Sequence, residues 1–357
     1  MIVVLACVCV VCAAVPLVLT LANLGFFRRP VLIAESQDAH VAVLIPARDE
    51  ERNLPELLAT VSEQVGWRGE VVVCDDHSTD ATARLAGDAN ARVVEAPALP
   101  PGWVGKQHAC WVLANETEAP ILCWVDADVR LAPDAIRAAA DYLRRSGAAC
   151  VSGFPREVTG TALEKMVVPL IHFILLGFLP FPAMKWTTMP AFAAGCGQWM
   201  LAERDAYFAV GGHAGIRGSR HDGITLPRLF RDRGYRTDVF DATDLAWCRM
   251  YVGAAAMWAG MVKNATEGMA SPGAILPFSV LLLFGQVVPF ALIGVSKWFG
   301  VAAGMAMVAR GVCAVRFRQS WLGVLLHPVS VVLLLVAQWQ ALVMEMIGKR
   351  VAWRGRE

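Results

Sequence analysis

No Asp, Glu, Lys or Arg occurs before Arg28. Residues 2–27 form one uncharged apolar run, long enough to cross the roughly 30 Å hydrocarbon core of a bilayer. A cleaved signal peptide would show a basic start and a shorter apolar core before a small-residue site. This run has no basic start and leads into Phe26-Phe27-Arg28-Arg29, so it reads as a retained anchor over residues 1–27. Towards the other end, residues 274–296 are again uncharged and apolar. Residues 298–315 are interrupted by Arg310, and residues 321–344 hold only His327 as a titratable group. Residues 274–347 therefore read as a C-terminal membrane region of two or three spans, the 298–315 run being either a span or a re-entrant segment.

Only 18% of the 357 residues are charged and 56% are hydrophobic, a deficit that soluble chains do not show. The deficit sits at the ends: about 22% of residues 28–273 are charged, near the globular norm. The chain reads as a soluble-looking middle between membrane-like ends. Arg28 and Arg29 place that middle in the cytoplasm, at an inner membrane, by the positive-inside rule. With three C-terminal spans, the tail bearing Lys349, Arg350, Arg354 and Arg356 would lie outside; a re-entrant third run would put it inside. A net charge of +1 gives no basis for nucleic-acid binding, which needs a dense basic surface. Cys9 and Cys12 are spaced C-x-x-C but lie in the first apolar run, where packing is expected rather than redox or zinc chemistry.

Within the middle, apolar strands alternate with helical spacing. Strands are expected at 40–45, 70–74, 92–95, 120–125 and 148–152, and helices at 50–64, 106–115 and 133–145, with a helix start at Ser78-Thr79-Asp80. Strands apolar throughout and separated by helices predict an α/β fold with a mostly parallel sheet covered on both faces. Ligands of such sheets bind beyond the carboxyl ends of the strands. There is no G-x-G-x-x-G and no G-x-x-x-x-G-K-[ST], so neither a dinucleotide site nor a P-loop is supported.

Two acidic clusters fall at expected strand ends. Asp126-Ala127-Asp128 places two carboxylates one residue apart, able to hold a divalent cation that bridges a diphosphate; the same tripeptide is also common in turns. Asp75-Asp76 could accept hydrogen bonds from a base or a ribose, or Asp76 or Ser78 could cap the next helix. Lys106 follows a glycine-bearing loop, Pro101-Gly102-Trp103-Val104-Gly105, and opens a helix whose N-terminus favours phosphate. Asp222 precedes an apolar-periodic helix, which it could cap, or it could act as a general base. Residues 166–184 are apolar but broken by three prolines, and read as an interfacial or re-entrant segment, or as a buried helix pair.

Six ordered stretches carry a resemblance: VAVLIPARDEERNL (41–54), VVVCDDHSTDAT (71–82), GWVGKQHACW (102–111), ILCWVDADVRLAPDAI (121–136), GCGQWMLAERDAYFAVGGH (195–213) and HDGITLPRLFRDRGYRTDVF (221–240). Together they resemble the family 2 glycosyltransferases of the GT-A fold. The Gly102-Trp103-x-Gly105-Lys106 loop, Arg249-Met250-Tyr251 and the membrane ends are most similar to the membrane-bound enzymes of hopanoid and carotenoid pathways. The resemblance implies a Rossmann-like GT-A domain over 38–270, and Pro46, Ala47 and Glu50 lining a nucleotide pocket. It implies Asp75 or Asp76 on base and ribose, Lys106 facing the phosphates, and Asp126 and Asp128 as the D-x-D motif for Mg2+ or Mn2+. Asp222 would be the catalytic base. His221 stands where the family has Glu, and Trp247-Cys248-Arg249-Met250-Tyr251 replaces the Q-x-x-R-W of processive synthases. The implied activity is inverting transfer of a sugar from a UDP- or GDP-sugar to a membrane lipid or isoprenoid, one sugar per encounter. A polyprenyl-phosphate acceptor, or an inactive scaffold or sugar-nucleotide sensor, are the alternatives.

Overall fold

The computed structural model describes residues 1–32, 39–267 and 269–347. Residue 38, where the sequence reading opens the catalytic domain, and the basic tail with Lys349, Arg350, Arg354 and Arg356 lie outside the described residues. The chain divides into two compact units: residues 27–156 with 181–248, and residues 1–26, 157–180 and 249–357.

The first unit is a mixed, mostly parallel α/β sheet of eight strands: β1 (Ala39–Ala47), β2 (Trp67–Asp75), β3 (Arg92–Glu95), β4 (Ile121–Val125), β5 (Val129–Leu131), β6 (Cys150–Glu157), β7 (Trp199–Glu203) and β8 (Thr237–Cys248). Their order is β3-β2-β1-β4-β7-β6-β8-β5. β1 runs parallel to β2 and β4, and β2 runs parallel to β3. Val41 to Ile45 and Val72 to Cys74 are fully buried, which is why these strands are apolar without alternation. Helices at Leu54–Ser62, Thr82–Asp88, Gly105–Asn115 and Ala135–Ser146 follow the strands, so the alternation read in the sequence is the one that forms.

Three strands are absent from the sequence reading. β7 inserts antiparallel between β4 and β6, and β5 pairs antiparallel with β8. β5 and β7 are three and five residues long, too short to show a period of their own. The insertion of β7 matters for function: pairing of Val125 with Trp199 brings the preceding Gly197-Gln198 beside Asp126, whose N–H donates to Gln198 O at 2.9 Å. The helix after β2 starts at Thr82, and Asp80 Oδ1 accepts the Thr82 N–H at 2.9 Å. Neither Asp76 nor Ser78 caps it, because Ser78 Oγ is taken by the Asp49 N–H at 3.0 Å. The chain enters this unit through Arg29, which pairs with Asp241 at 3.0 Å and Asp244 at 2.6 Å.

Among the described residues of the second unit, three helices are long and apolar enough to cross a membrane: Ile2–Asn23, Lys297–Arg316 and His327–Met346. The 274–296 run, expected as a span, is broken into Ile275–Gln286 and Val288–Ala291, with Pro289 at the second helix's start. The 298–315 run instead forms one unbroken 20-residue helix, because Arg310 is buried inside the packing rather than offered to lipid. Small residues let the helices approach closely: a Cβ on Gly285 would stand 2.5 Å from Cys12 O. Asn23 Nδ2 donates to Leu176 O at 2.8 Å and to Leu179 O, fastening the first helix to Leu170–Phe178. The 166–184 segment forms Leu170–Phe178 and Phe181–Trp186, with His172 buried. Cys9 and Cys12 are buried and free, and all ten cysteines are unbridged.

Candidate active site

The parallel strands β2, β1 and β4 are neighbours, so their carboxyl ends form one rim. Pro46 and Ala47 end β1, opposite Cys74 and Asp75 of β2. Asp75 and Asp76 are buried there. Asp76 N–H donates to Ala47 O at 2.8 Å, and Arg48 Nη1 stands 3.6 Å from Asp76 Oδ2. The loops after β1 and β2 are stitched together: Thr79 N–H donates to Asp49 Oδ1 at 2.8 Å and Glu50 N–H to Thr82 Oγ1 at 2.8 Å. Asp49 and His77 take left-handed φ values of 51° and 56° to make these turns. Glu50 Oε2 accepts from Asn53 Nδ2 at 2.8 Å, immediately before helix Leu54–Ser62.

The tip of β4 holds the charged centre. Lys106 is the second residue of helix Gly105–Asn115, whose N-cap Val104 is held by its N–H to Arg217 O at 2.8 Å. Lys106 Nζ lies 2.8 Å from Asp126 Oδ2, 3.1 Å from Asp222 Oδ2, and donates to Gly197 O at 3.1 Å. Asp222 opens helix Asp222–Asp232, but its Oδ1 accepts only the adjacent Gly223 N–H at 2.9 Å. Its other oxygen faces Lys106. The structure thus brings together Lys106, Asp126 and Asp222, three residues far apart in sequence, and sets Asp128 two residues from Asp126 in the turn before β5.

The electrostatics follow from burial and neighbours. Burial pushes the Asp126 carboxyl above the ordinary carboxylate range, Lys106 pulls it back, and Asp128 and Asp222 push it up again. For Asp222, burial again raises the carboxyl and is the largest single influence, but Lys106 together with His213 and His221 holds the group below its ordinary value. Burial works against the Lys106 charge, yet Asp126 and Asp222 keep the ammonium protonated far above its usual range. Asp222 is therefore a carboxylate at neutral pH, while Asp126, raised to about 7, is a group whose ionisation further positive charge would favour.

The D-x-D pair fits a divalent cation. Asp128 Oδ1 is buried without a hydrogen-bond partner in the protein, and the Asp126 and Asp222 carboxylates share a single lysine. No group of three His, Cys, Asp or Glu side chains among the described residues forms a closed metal cage. Two carboxylates leave the other positions to water and phosphate oxygens, the mode by which Mg2+ usually binds phosphorylated substrates.

Two residues of the centre escape the sequence reading. Gly197 is one: a Cβ there would stand 2.2 Å from Asp222 Oδ1. The Gly195-Cys196-Gly197 pattern before a short apolar run was the available signal. Gly197→Ala is expected to displace the Asp222 carboxylate and cut turnover by roughly a hundredfold with the circular dichroism spectrum retained; turnover within threefold of wild type would show that the close packing is dispensable. His213 is the other. It is buried, with Nδ1 2.8 Å from Tyr207 O–H, and its backbone N–H donates to the same oxygen at 3.0 Å. Burial pushes its imidazole down to about 3 from 6.5, with Asp222 opposing and Lys106 adding to the shift. The unfolded chain therefore binds the proton first, and stability falls as pH drops below about 6.5, by up to about 1.4 kcal/mol per unit from this group. His213→Phe is expected to flatten the dependence of Tm on pH between 6.5 and the folded value of about 3; an unaltered slope would contradict this.

A profile of glycosyl transferase family 2 matches residues 42–206, which include both acidic clusters and Lys106. Residues 42–206 are those of a glycosyl transferase family 2 domain. Its relatives include the 4,4'-diaponeurosporenoate glycosyltransferase of Staphylococcus haemolyticus (strain JCSC1435), 28% identical over 262 residues, covering 72% of this chain and 69% of the relative. The enzyme of the same name from Staphylococcus aureus (strain USA300) is 28% identical over 254 residues, covering 69% and 66%. The glycosyltransferase thus spans about two thirds of the length of these relatives. A mannosyltransferase from Pyrobaculum calidifontis, solved with GDP-Man and Mn2+, superposes with a TM-score of 0.57 at 18% identity, over 96% of this chain and 99% of that one. The glycosyltransferase has the GT-A fold, with helices apolar enough to span a membrane at both ends.

Proposed function

We propose that this glycosyltransferase moves one sugar per encounter from a UDP- or GDP-sugar to a lipidic acceptor at the cytoplasmic face of a membrane, inverting the anomeric carbon. The observation that carries the reading is the reach of Lys106 Nζ to both Asp126 Oδ2 (2.8 Å) and Asp222 Oδ2 (3.1 Å). A diphosphate at Asp126 and an acceptor oxygen at Asp222 would then lie on either side of one anomeric carbon, as an in-line displacement needs.

Asp126 and Asp128 would hold Mg2+ or Mn2+, which when bound neutralises charge on the departing diphosphate. Lys106 donates to phosphate oxygens in place of the carboxylates it contacts without donor. Pro46, Ala47, Glu50, Asp75 and Asp76 form the rim on which base and ribose rest. Asp222 takes the proton of an acceptor hydroxyl as the new bond forms. The lipidic acceptor is supported by the three helices long enough to span a membrane and by the carotenoid named in the relatives' activity. Arg28 and Arg29, directly after the first of these helices, support a cytoplasmic catalytic domain. The relatives' acceptor name, a carotenoid acid, favours a second reading in which the acceptor brings its own ionised oxygen, carboxylate or polyprenyl phosphate, and needs no base.

The test incubates the purified protein with isotope-labelled UDP- and GDP-sugars and a membrane lipid extract. Label is expected in an organic-extractable product that requires both donor and lipid. Release of free sugar alone, or label only in water-soluble products, would contradict the lipidic acceptor.

A further inference from the structure

Between Glu267 and Glu345 the chain carries Lys297, Arg310, Arg316 and Arg318 and no acidic residue. Arg310 is fully buried in helix Lys297–Arg316, six residues before its end, hence about 9 Å below it. Its Nη1 donates to Gln319 Oε1 at 2.6 Å. Nε and Nη2 have no hydrogen-bond partner in the protein, and among the described residues no carboxylate pairs with them. The other buried arginine, Arg231, shows what a purely structural guanidinium looks like. Its nitrogens donate to Met184 O, Thr187 O, Met189 O, Thr237 O and Thr237 Oγ1.

Nε–H and Nη2–H lie on one edge of the guanidinium, the fork that grips a carboxylate or phosphate with two parallel hydrogen bonds. Gly323 packs directly beside that edge: a Cβ there would stand 3.1 Å from Nη2 and 2.4 Å from Lys165 O. The surrounding side chains add donors. Gln286 Oε1 lies 3.0 Å from His327 Nε2, and Gln286 Nε2 and Gln319 Nε2 are buried without a protein partner. A buried cation with a surplus of donors is a site for an anion. Its depth, on a helix long enough to span a membrane, is that of a lipid's polar oxygens rather than of a soluble ion. Gln319, which accepts from Nη1, is half-buried just after the helix.

We propose that Arg310 holds the anionic oxygen group, carboxylate or phosphate, of a membrane lipid through Nε and Nη2. The site lies wholly within the helical unit and does not depend on the transfer reaction. Native mass spectrometry of the full chain in detergent tests it, with equal amounts of phosphatidylglycerol and diacylglycerol in one arm, and of oleate and oleyl alcohol in another. The wild type is expected to retain the anionic lipid over its neutral counterpart by roughly tenfold or more, the scale of one charge-assisted contact. Preference for phosphatidylglycerol alone assigns phosphate, and preference for oleate alone assigns carboxylate. Arg310→Gln is expected to abolish the preference, Arg310→Lys to reduce it through loss of the fork, and Lys297→Gln, at an exposed position, to leave it intact. Equal retention of charged and neutral lipid by the wild type would overturn the proposal, as would an undiminished preference in Arg310→Gln. Should Arg310→Gln not fold, a full preference in Arg310→Lys would overturn the two-bond grip.

Discussion

Asp222→Asn is expected to lower kcat for a hydroxyl acceptor by roughly 10²- to 10⁴-fold, the usual contribution of a positioned general base. The substitution keeps the shape of the side chain, so the close packing on Gly197 should survive, while the one remaining oxygen serves either Lys106 or the Gly223 N–H. It removes the proton acceptor and its negative charge. KM for the donor should stay within a few-fold of wild type, because Asp126 and Asp128 are untouched. The carboxylate is available in the first place because Lys106, with His213 and His221, holds its proton affinity below the ordinary value against the opposing effect of burial. With an acceptor that is already ionised, the same variant should lose less than about tenfold, since no proton remains to be taken. Measuring kcat for both acceptor types therefore separates the two readings. Unaltered kcat with a hydroxyl acceptor would remove Asp222 from the chemistry.

The paired variant Asp126→Ala with Asp128→Ala is expected to lose at least about three orders of magnitude in transfer, as several kcal/mol of charge stabilisation at the leaving diphosphate disappears. Asp126→Ala alone also frees Lys106 from its 2.8 Å contact, so the ammonium would lean on Asp222 only. The loss should appear in kcat and in donor binding together, because the same carboxylates serve both. Thermal stability should not fall in parallel. Removing one of three mutually repelling carboxylates relieves burial of like charge. A stable double variant that still transfers sugar at the wild-type rate would contradict the assignment.

The rim of the site was legible because it depends on local pattern. Buried parallel strands are apolar throughout, and the acidic residues that stop them at Asp75 and Asp126 stand out against that background. Lys106 was legible as a charge at a helix start. What the sequence does not show is pairing. β7 joins β4 antiparallel across a gap of more than seventy residues, and only that pairing brings the Gly197 carbonyl to Lys106. His213 is written as an ordinary residue after two glycines, and its burial against Tyr207 and Trp124 is a tertiary fact. In the helical unit, two apolar runs fold in different ways. The 274–296 run is apolar enough but breaks at Val287, while the 298–315 run looked weak because of an arginine that the fold takes inside.

Calorimetric titration of UDP and GDP into the detergent-purified protein, with Mn2+ and with EDTA, tests the role of the β4 tip most directly. One of the two nucleotides is expected to bind in Mn2+ and to lose most of its affinity in EDTA, with the cation dependence absent in Asp126→Ala. Binding of equal strength with and without the cation, or a cation dependence that persists in Asp126→Ala, would contradict the account.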